Sequence, residues 1–397
     1  MDSKEMPPTI SEYSRDLVLK AVDRIPAVAW RAMMPRTEIA LCYTVVSHES
    51  LPHVRPLHPY KNPAQFASDL EFLAGGDAQV SFDDGLVECR TIVAPLLARY
   101  GQRATFFINT DVIDNKMMMY RHKLALCISR LEQGALSYGR KAGGSAPRGG
   151  GGAPSGGSAG GGASAGGSGR AAPDPSRAIP ETTEEDPILL RKKVADLLGV
   201  PSPAEVATLR RTILDLRADR AMRAEALCVV TGVDVPAYLA AHRPYLTWAQ
   251  VRALLEEGHT IGAHGLDHRE FQALDSAEIE RQIVESCNAV RAVTKQEKIP
   301  FAVPFSLEGL DRSLLADIAR RNPQVGRIYG TNAFMPEPKG FANRLIADLP
   351  PPSRHPGRTS TRTRLPKKIR GALRARAVAL ARRVVFRDVP ETFTSAA

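Results

Sequence analysis

Short apolar segments alternate with amphipathic helical ones in two separate runs of this chain. A strand that feeds a helix and returns parallel to its neighbour has few folds open to it. Residues 38–46 (EIALCYTVV) predict a first buried strand. Asn62–Leu73 opens on Asn-Pro, a helix-entry signal, and carries Phe66, Leu70 and Leu73 on a helical period. AQVSFDDG (78–85) reads as a second strand, ending in acidic residues and Gly. Val87–Tyr100 reads as a helix with Ile92, Val93, Leu96 and Leu97 inward and Gly101 closing it. RATFFINT (103–110) is a third strand, so the order is βαβ and argues a parallel sheet.

The alternation then stops. Lys116–Leu131 reads as a helix, and Met117, Met118 and Met119 begin the insertion as core or lid lining. Residues 184–242 read as several helices without a convincing strand. The βα pattern resumes at Thr247, an N-cap for the helix that ends at Gly258. Trp248 in that helix reads as core. HTIGAH (259–264) and IPFAVPF (299–305) are strands, and Ser276–Val293 and Asp311–Arg320 are helices. One βα-repeating domain is therefore split by an insertion of about 110 residues, far beyond an ordinary connection. The expected organisation is an N-terminal segment (1–37), a barrel in two parts (38–140 and 245–349), a Gly-rich disordered loop (141–173), a helical insertion (174–244) and a basic tail (350–397).

Composition supports that division. The chain has 397 residues, 43% hydrophobic, enough for an α/β barrel with insertions. Between Ala142 and Arg170, 14 of 29 residues are Gly, which leaves nothing to bury and predicts a flexible loop. The net charge of +10 hides an asymmetry: Arg354–Arg387 holds twelve Arg or Lys and no acid, so the rest sums to −2. A near-neutral body disfavours nucleic acid as partner. In the tail, Ile369, Leu373, Ala377, Leu380 and Val384 form a helical stripe among arginines. A solvated tail is the simpler reading, and peripheral contact with an anionic membrane is the alternative. Five dispersed cysteines without a Cys-x-x-Cys predict buried free thiols. The N-terminus lacks a signal-peptide pattern and no run of 18 apolar residues occurs, so the expected location is cytoplasmic.

Three clusters follow strand ends: Asp83-Asp84-Gly85, His264 with His268, and Pro304-Phe305. In βα-barrels the carboxyl ends of the strands converge on one face. Two neutral imidazoles and a carboxylate there make a divalent-metal site with positions left for water and substrate. Adjacent aspartates on extended backbone point apart, so one can ligate while the other acts as base. Taken singly, Asp-Asp-Gly is an ordinary turn, a His pair an ordinary surface feature, and Pro304-Phe305 a strand end packing its ring.

Together these residues resemble the polysaccharide deacetylases (carbohydrate esterase family 4, the NodB-homology domain). Ser81-Phe82-Asp83-Asp84-Gly85 matches the first motif and His264-x-x-x-His268 the second. ATFFIN (104–109), LTWAQVRALLEEGHTIGAH (246–264) and FAVPF (301–305) fit the flanks. The resemblance spans about 38–115 and 245–348 and implies a distorted (β/α)7 barrel, interrupted here by the long, mostly helical and partly disordered insertion. It implies that Asp83 is the catalytic base and that Asp84, His264 and His268 bind one divalent ion, zinc first, with cobalt, nickel or manganese as other ions. Phe305, through its backbone amide, and Pro304 would serve the oxyanion and substrate.

The chain departs from the family pattern in four places, one of them Tyr43-Thr44 on the first strand, where related sequences often show Tyr-His. The first motif histidine is followed by Gly265 where the family has Ser or Thr, the arginine-bearing third motif is reduced to FAVPF, and no Leu-x-His motif supplies the general acid. The text there is NRLIADLP (343–350), His355 lies in the tail, and His48 or His53 are the remaining acid candidates. The expected function is metal-dependent removal of N-acetyl or O-acetyl groups from a carbohydrate, in polysaccharide or glycolipid metabolism. The alternative is a catalytically impaired protein of this fold, acting as a scaffold through the insertion and tail.

Overall fold

The computed structural model describes residues 40–73, 79–142, 186–216, 221–331 and 337–348. The segment 1–37, the basic tail with His355, and the Gly-rich segment beyond Ala142 lie outside the described residues.

Seven strands close in chain order into a parallel barrel. They are β1 (Ala40–Tyr43), β2 (Gln79–Phe82), β3 (Ala104–Ile108), β4 (Thr260–Ala263), β5 (Ile299–Ala302), β6 (Val325–Gly330) and β7 (Phe341–Ile346). β7 pairs back onto β1, with Cys42 opposite Ile346. The ring is irregular at β5: it meets β4 only at Ala263–Phe301, and its register against β6 shifts between Ile299 and Phe301. The (β/α)7 expectation holds, including its distortion. The strands are shorter than the apolar text suggests: β2 stops before Asp83, β4 before His264 and β5 before Pro304.

Period-two alternation separates two cores. Tyr43, Phe82 and Phe106 are paired across β1, β2 and β3 and stack at 5.3 and 5.7 Å. Phe66, from helix α1 (Pro63–Leu73), packs edge-on against Tyr43 at 5.1 Å, so this row faces the helices. The opposite faces fill the barrel with Cys42, Ser81, Phe107 and Arg344, all buried. Gly262 is required here: a Cβ would lie 2.4 Å from the Phe107 ring.

The helix predicted over Val87–Tyr100 begins as a π-helical turn (Cys89–Val93) and becomes α2 (Ala94–Arg99), which buries Val93 and Leu97. After the insertion come α8 (Trp248–Glu256), α9 (Ser276–Thr294) and α10 (Arg312–Arg321). Thr247 opens α8 with a capping box: Gln250 N–H donates to its Oγ1 at 3.2 Å, and its own N–H donates to Gln250 Oε1 at 2.8 Å. Asp275 and Asp311 N-cap α9 and α10 through single bonds, accepting from Glu278 N–H and Ser313 N–H at 2.8 Å each. Trp248 packs half-buried against the barrel core.

Residues 49–58 and 114–244 make a second compact unit. Its helices are α3 (Tyr120–Ala142), α4 (Pro187–Leu198), α5 (Val206–Leu214), α6 (Ala221–Thr231) and α7 (Val235–His242). Leu124, Cys127, Ile128 and Leu131 of α3 are buried, and α3 packs against α4, α5 and α6. Met118 and Met119 are buried in this unit, whereas Met117 is exposed. His53 belongs here as well, 2.9 Å from the Tyr238 hydroxyl, and burial pushes its pKa down to about 3. It is part of the helical unit's core and so leaves the acid candidates. His48 is an exposed loop residue. All five cysteines are buried free thiols, and no single described helix is long and apolar enough to cross a membrane.

Candidate active site

Asp83 extends the β1–β2 ladder by one bond, its N–H donating to Tyr43 O at 2.9 Å. At Asp84 the backbone turns left-handed (φ 71°). Asp tolerates this region better than most residues. The two carboxylates therefore diverge at a turn, where the sequence suggested strand alternation alone.

The Asp83 carboxylate faces into the barrel. Arg344 grips it with two parallel bonds, Nη1 to Oδ1 at 2.5 Å and Nη2 to Oδ2 at 2.9 Å, and the Cys42 thiol donates to Oδ2 at 3.2 Å. Arg344 also donates to Ser81 Oγ at 3.2 Å and lies 4.7 Å over the Phe107 ring. Burial alone would raise the Asp83 pKa; the Arg344 guanidinium, with His264 and the thiol, overrides it and holds the group below the ordinary carboxylate range. Burial pushes the Cys42 thiol well up, so it stays protonated as a donor. Sequence reasoning missed both partners. The only trace of Arg344 in the sequence is one Arg within FANRLI.

His264 follows β4, its N–H donating to Ile108 O at 2.8 Å. The loop 265–268 is held from both sides. Beyond β3, the Asn109 side-chain amide donates to His264 O at 2.5 Å, and Thr110 and Asp111 N–H reach Gly265 O and Leu266 O at 3.2 and 3.0 Å. From α9, the fully buried Gln282 accepts from Leu266 N–H at 2.8 Å and donates to Asp267 at 2.9 Å. Gly265 has φ +83°, and a Cβ there would stand 3.0 Å from Gln282 Oε1. That accounts for Gly where the family has Ser or Thr. Gln282→Ala should weaken ion binding about 10–100-fold while the fold stays intact, since a support and not a ligand is lost. A competition titration against a chromophoric chelator checks this.

Asp84, His264 and His268 each place one ligand atom within 4.8 Å of the others. Asp84 Oδ1 lies 3.6 Å from His264 Nε2 and 3.4 Å from His268 Nε2. Two ligands at tetrahedral zinc distances stand about 3.3 Å apart. His264 Nδ1 is 2.8 Å from Ala302 O, which fixes the proton on Nδ1 and turns the Nε2 lone pair toward Asp84. Burial lowers the His264 pKa more than Asp83 and Asp84 raise it, so the ring is neutral near pH 7, as a ligand must be. The donors fit a divalent ion, and Asp83 lies outside the group. Phe305 ends β5's extension in a left-handed conformation (φ 61°), with its ring 4.7 Å from His268. Thr331 Oγ1 donates to Phe305 O at 2.6 Å, and Ser306 N–H donates to Pro304 O at 2.9 Å. The structure thus gathers Asp83, Asp84, His264, His268 and Phe305 at one end of the barrel.

Residues 211–320 match the family model described as polysaccharide deacetylase, a span that includes His264, His268, Pro304 and Phe305. Over that span the chain is similar to the polysaccharide deacetylases. Similar solved structures include the Streptococcus pyogenes deacetylase PplD in complex with acetate, at 11% identity over 78% of this chain and 92% of that one, TM-score 0.41. IcaB from Ammonifex degensii is similar at 11% identity over 78% and 91%, TM-score 0.39. A de-N-acetylase from Aggregatibacter actinomycetemcomitans is similar at 10% identity over 78% and 95%, TM-score 0.39. No curated protein matches the chain.

Proposed function

We infer that this protein is a divalent-metal-dependent deacetylase that removes an N-acetyl (or O-acetyl) group from a carbohydrate of polysaccharide or glycolipid metabolism. The observation that carries this reading is the pairing of two differently held carboxylates: Asp84 with two imidazoles, Asp83 with a guanidinium. Asp84, His264 and His268 would hold the ion, with zinc favoured by two imidazoles and one carboxylate. A bound divalent ion supplies Lewis acidity toward the acetyl carbonyl and makes water more acidic. Asp83, kept ionised by Arg344, accepts the proton of the attacking water. The Phe305 backbone amide, in the residue whose ring lies 4.7 Å from that of His268, is the donor assigned to the developing oxyanion, and Pro304 is assigned to the substrate side.

Asp83→Asn should retain about one ion per chain and lose acetate release by about 10²–10⁴-fold. Acetate assay and elemental analysis, on a panel of N- and O-acetylated sugars, read both quantities. A wild-type protein that holds its ion and frees no acetate from any of them sinks the reading.

A further inference from the structure

The proposed reaction leaves a sugar amine, a poor leaving group until nitrogen is protonated, and no Leu-x-His motif supplies a histidine for this. β7 supplies another group. Its inward positions alternate, so Arg344, Ile346 and Asp348 share one side, as Cys42 and Thr44 do on β1. Beyond β7 the pairing continues for one bond, Ala347 N–H to Cys42 O at 2.8 Å. This brings Asp348 to the carboxyl end of β1, where Thr44 N–H lies 2.9 and 3.1 Å from its two oxygens. The peptide group joining Tyr43 and Thr44 thus links the two acids. Its C=O accepts from the Asp83 N–H, and its N–H donates to the Asp348 carboxyl. Asp348 is buried and stands at the barrel end that holds Asp83, Asp84 and the histidines.

We propose that Asp348 is the general acid, the carboxyl that protonates the departing nitrogen. The assignment rests on the deacetylase reading above. Water oxygen bonds to the acetyl carbon as Asp83 takes its proton. The carbon–nitrogen bond then breaks, its electron pair stays on nitrogen, and nitrogen takes the proton of Asp348. Acetic acid and the free amine leave, the acid then giving its remaining water proton to the amine or solvent to become acetate, while Asp83 returns its proton to solvent and Asp348 regains one from it.

The surroundings keep that proton in place near neutral pH. Burial, helped by the Asp83 charge, raises the Asp348 pKa to about 8 against hydrogen bonds from Thr44 and the opposing charge of the buried Lys61. Lys61 is itself engaged by Asp69, and Asp69 accepts from the Tyr43 hydroxyl at 2.8 Å. Cys42 and Tyr43, on β1 beside Asp348, keep their protons, their pKa values pushed well up by burial.

Asp348→Asn keeps an acceptor for Thr44 N–H and removes the acid. With the full-length chain, it should cut acetate release from an N-acetylated aminosugar oligosaccharide by about 10²–10⁴-fold. Hydrolysis of 4-nitrophenyl acetate, whose phenolate leaves without a proton, should fall less than about threefold by the same principle. The wild-type amide rate should decline as pH rises through about 8, and the variant should lose that limb. Infrared difference spectra of ion-free protein at pH 6.5 should show a protonated-carboxyl stretch that the variant lacks. Parallel loss of amide and ester activity, amide activity near wild type, or no such stretch overturns the assignment. A wild-type protein silent on both substrates overturns the deacetylase reading and this proposal with it, whereas the stretch alone failing overturns only the latter.

Discussion

Arg344→Met should cost the barrel about 3–5 kcal/mol, because it strands the Asp83 carboxylate without its partner inside the fold. For a domain of this size that lowers Tm by roughly 6–20 °C. Arg344 and Asp83 are both buried, so solvent screens this pair little. The double variant Arg344→Met/Asp83→Leu should recover most of the loss, since an apolar pair of similar volume replaces a charged one. The pH dependence has a definite sign. Asp83 has a depressed folded pKa, so its contribution is present above the unfolded carboxylate value of about 3.9 and lost as pH falls through the folded value. The gap in Tm between wild type and Arg344→Met should therefore close on acidification below about pH 4. Equal melting of wild type and variant at pH 7 would show that the pair adds nothing.

His264→Ala should weaken divalent-ion binding by well over about 100-fold, more than the loss of any supporting residue. It removes one of three donors and leaves the Ala302 carbonyl without its Nδ1 partner. Isothermal titration with zinc measures this directly. Binding should also weaken in acid, because an imidazole must be neutral to ligate. For His264 that loss sets in below the ordinary imidazole range, since burial lowers its pKa. An unchanged zinc affinity in the alanine variant would remove His264 from the site.

Much of this was legible in the sequence wherever apolar text and turn chemistry agree. β1 to β5 read as strands because their residues are buried on both faces, and the motif residues stand where those strands stop. β6 (VGRIYG) and β7 (FANRLI) were not read, because Arg and Asn interrupt their apolar runs. The interruption is itself functional: Arg344 points inward to Asp83, which no periodicity could distinguish from a solvent-facing arginine. Gln282 was hidden for a similar reason. A glutamine within the apolar stripe of α9 looks like a weak helix position, and only the fold brings it under the 265–268 loop. The left-handed backbone at Asp84, His268 and Phe305 leaves no trace in residue type either. The π-helical turn before α2 is also beyond sequence pattern, since Ile92, Val93, Leu96 and Leu97 fit an unbroken helix equally well.

The bond between Asp83 and Arg344 joins residues 261 positions apart. On a ribosome adding about 5–20 residues per second, that separation is roughly 13–52 s of synthesis. Asp83 waits that long for the cation that holds its carboxylate charged, and Asp348 follows Arg344 by four residues. β7 is also the strand that closes the barrel onto β1. Closure of the fold and arming of its chemistry therefore happen in one event, so a half-made chain can bind neither role to its two early aspartates.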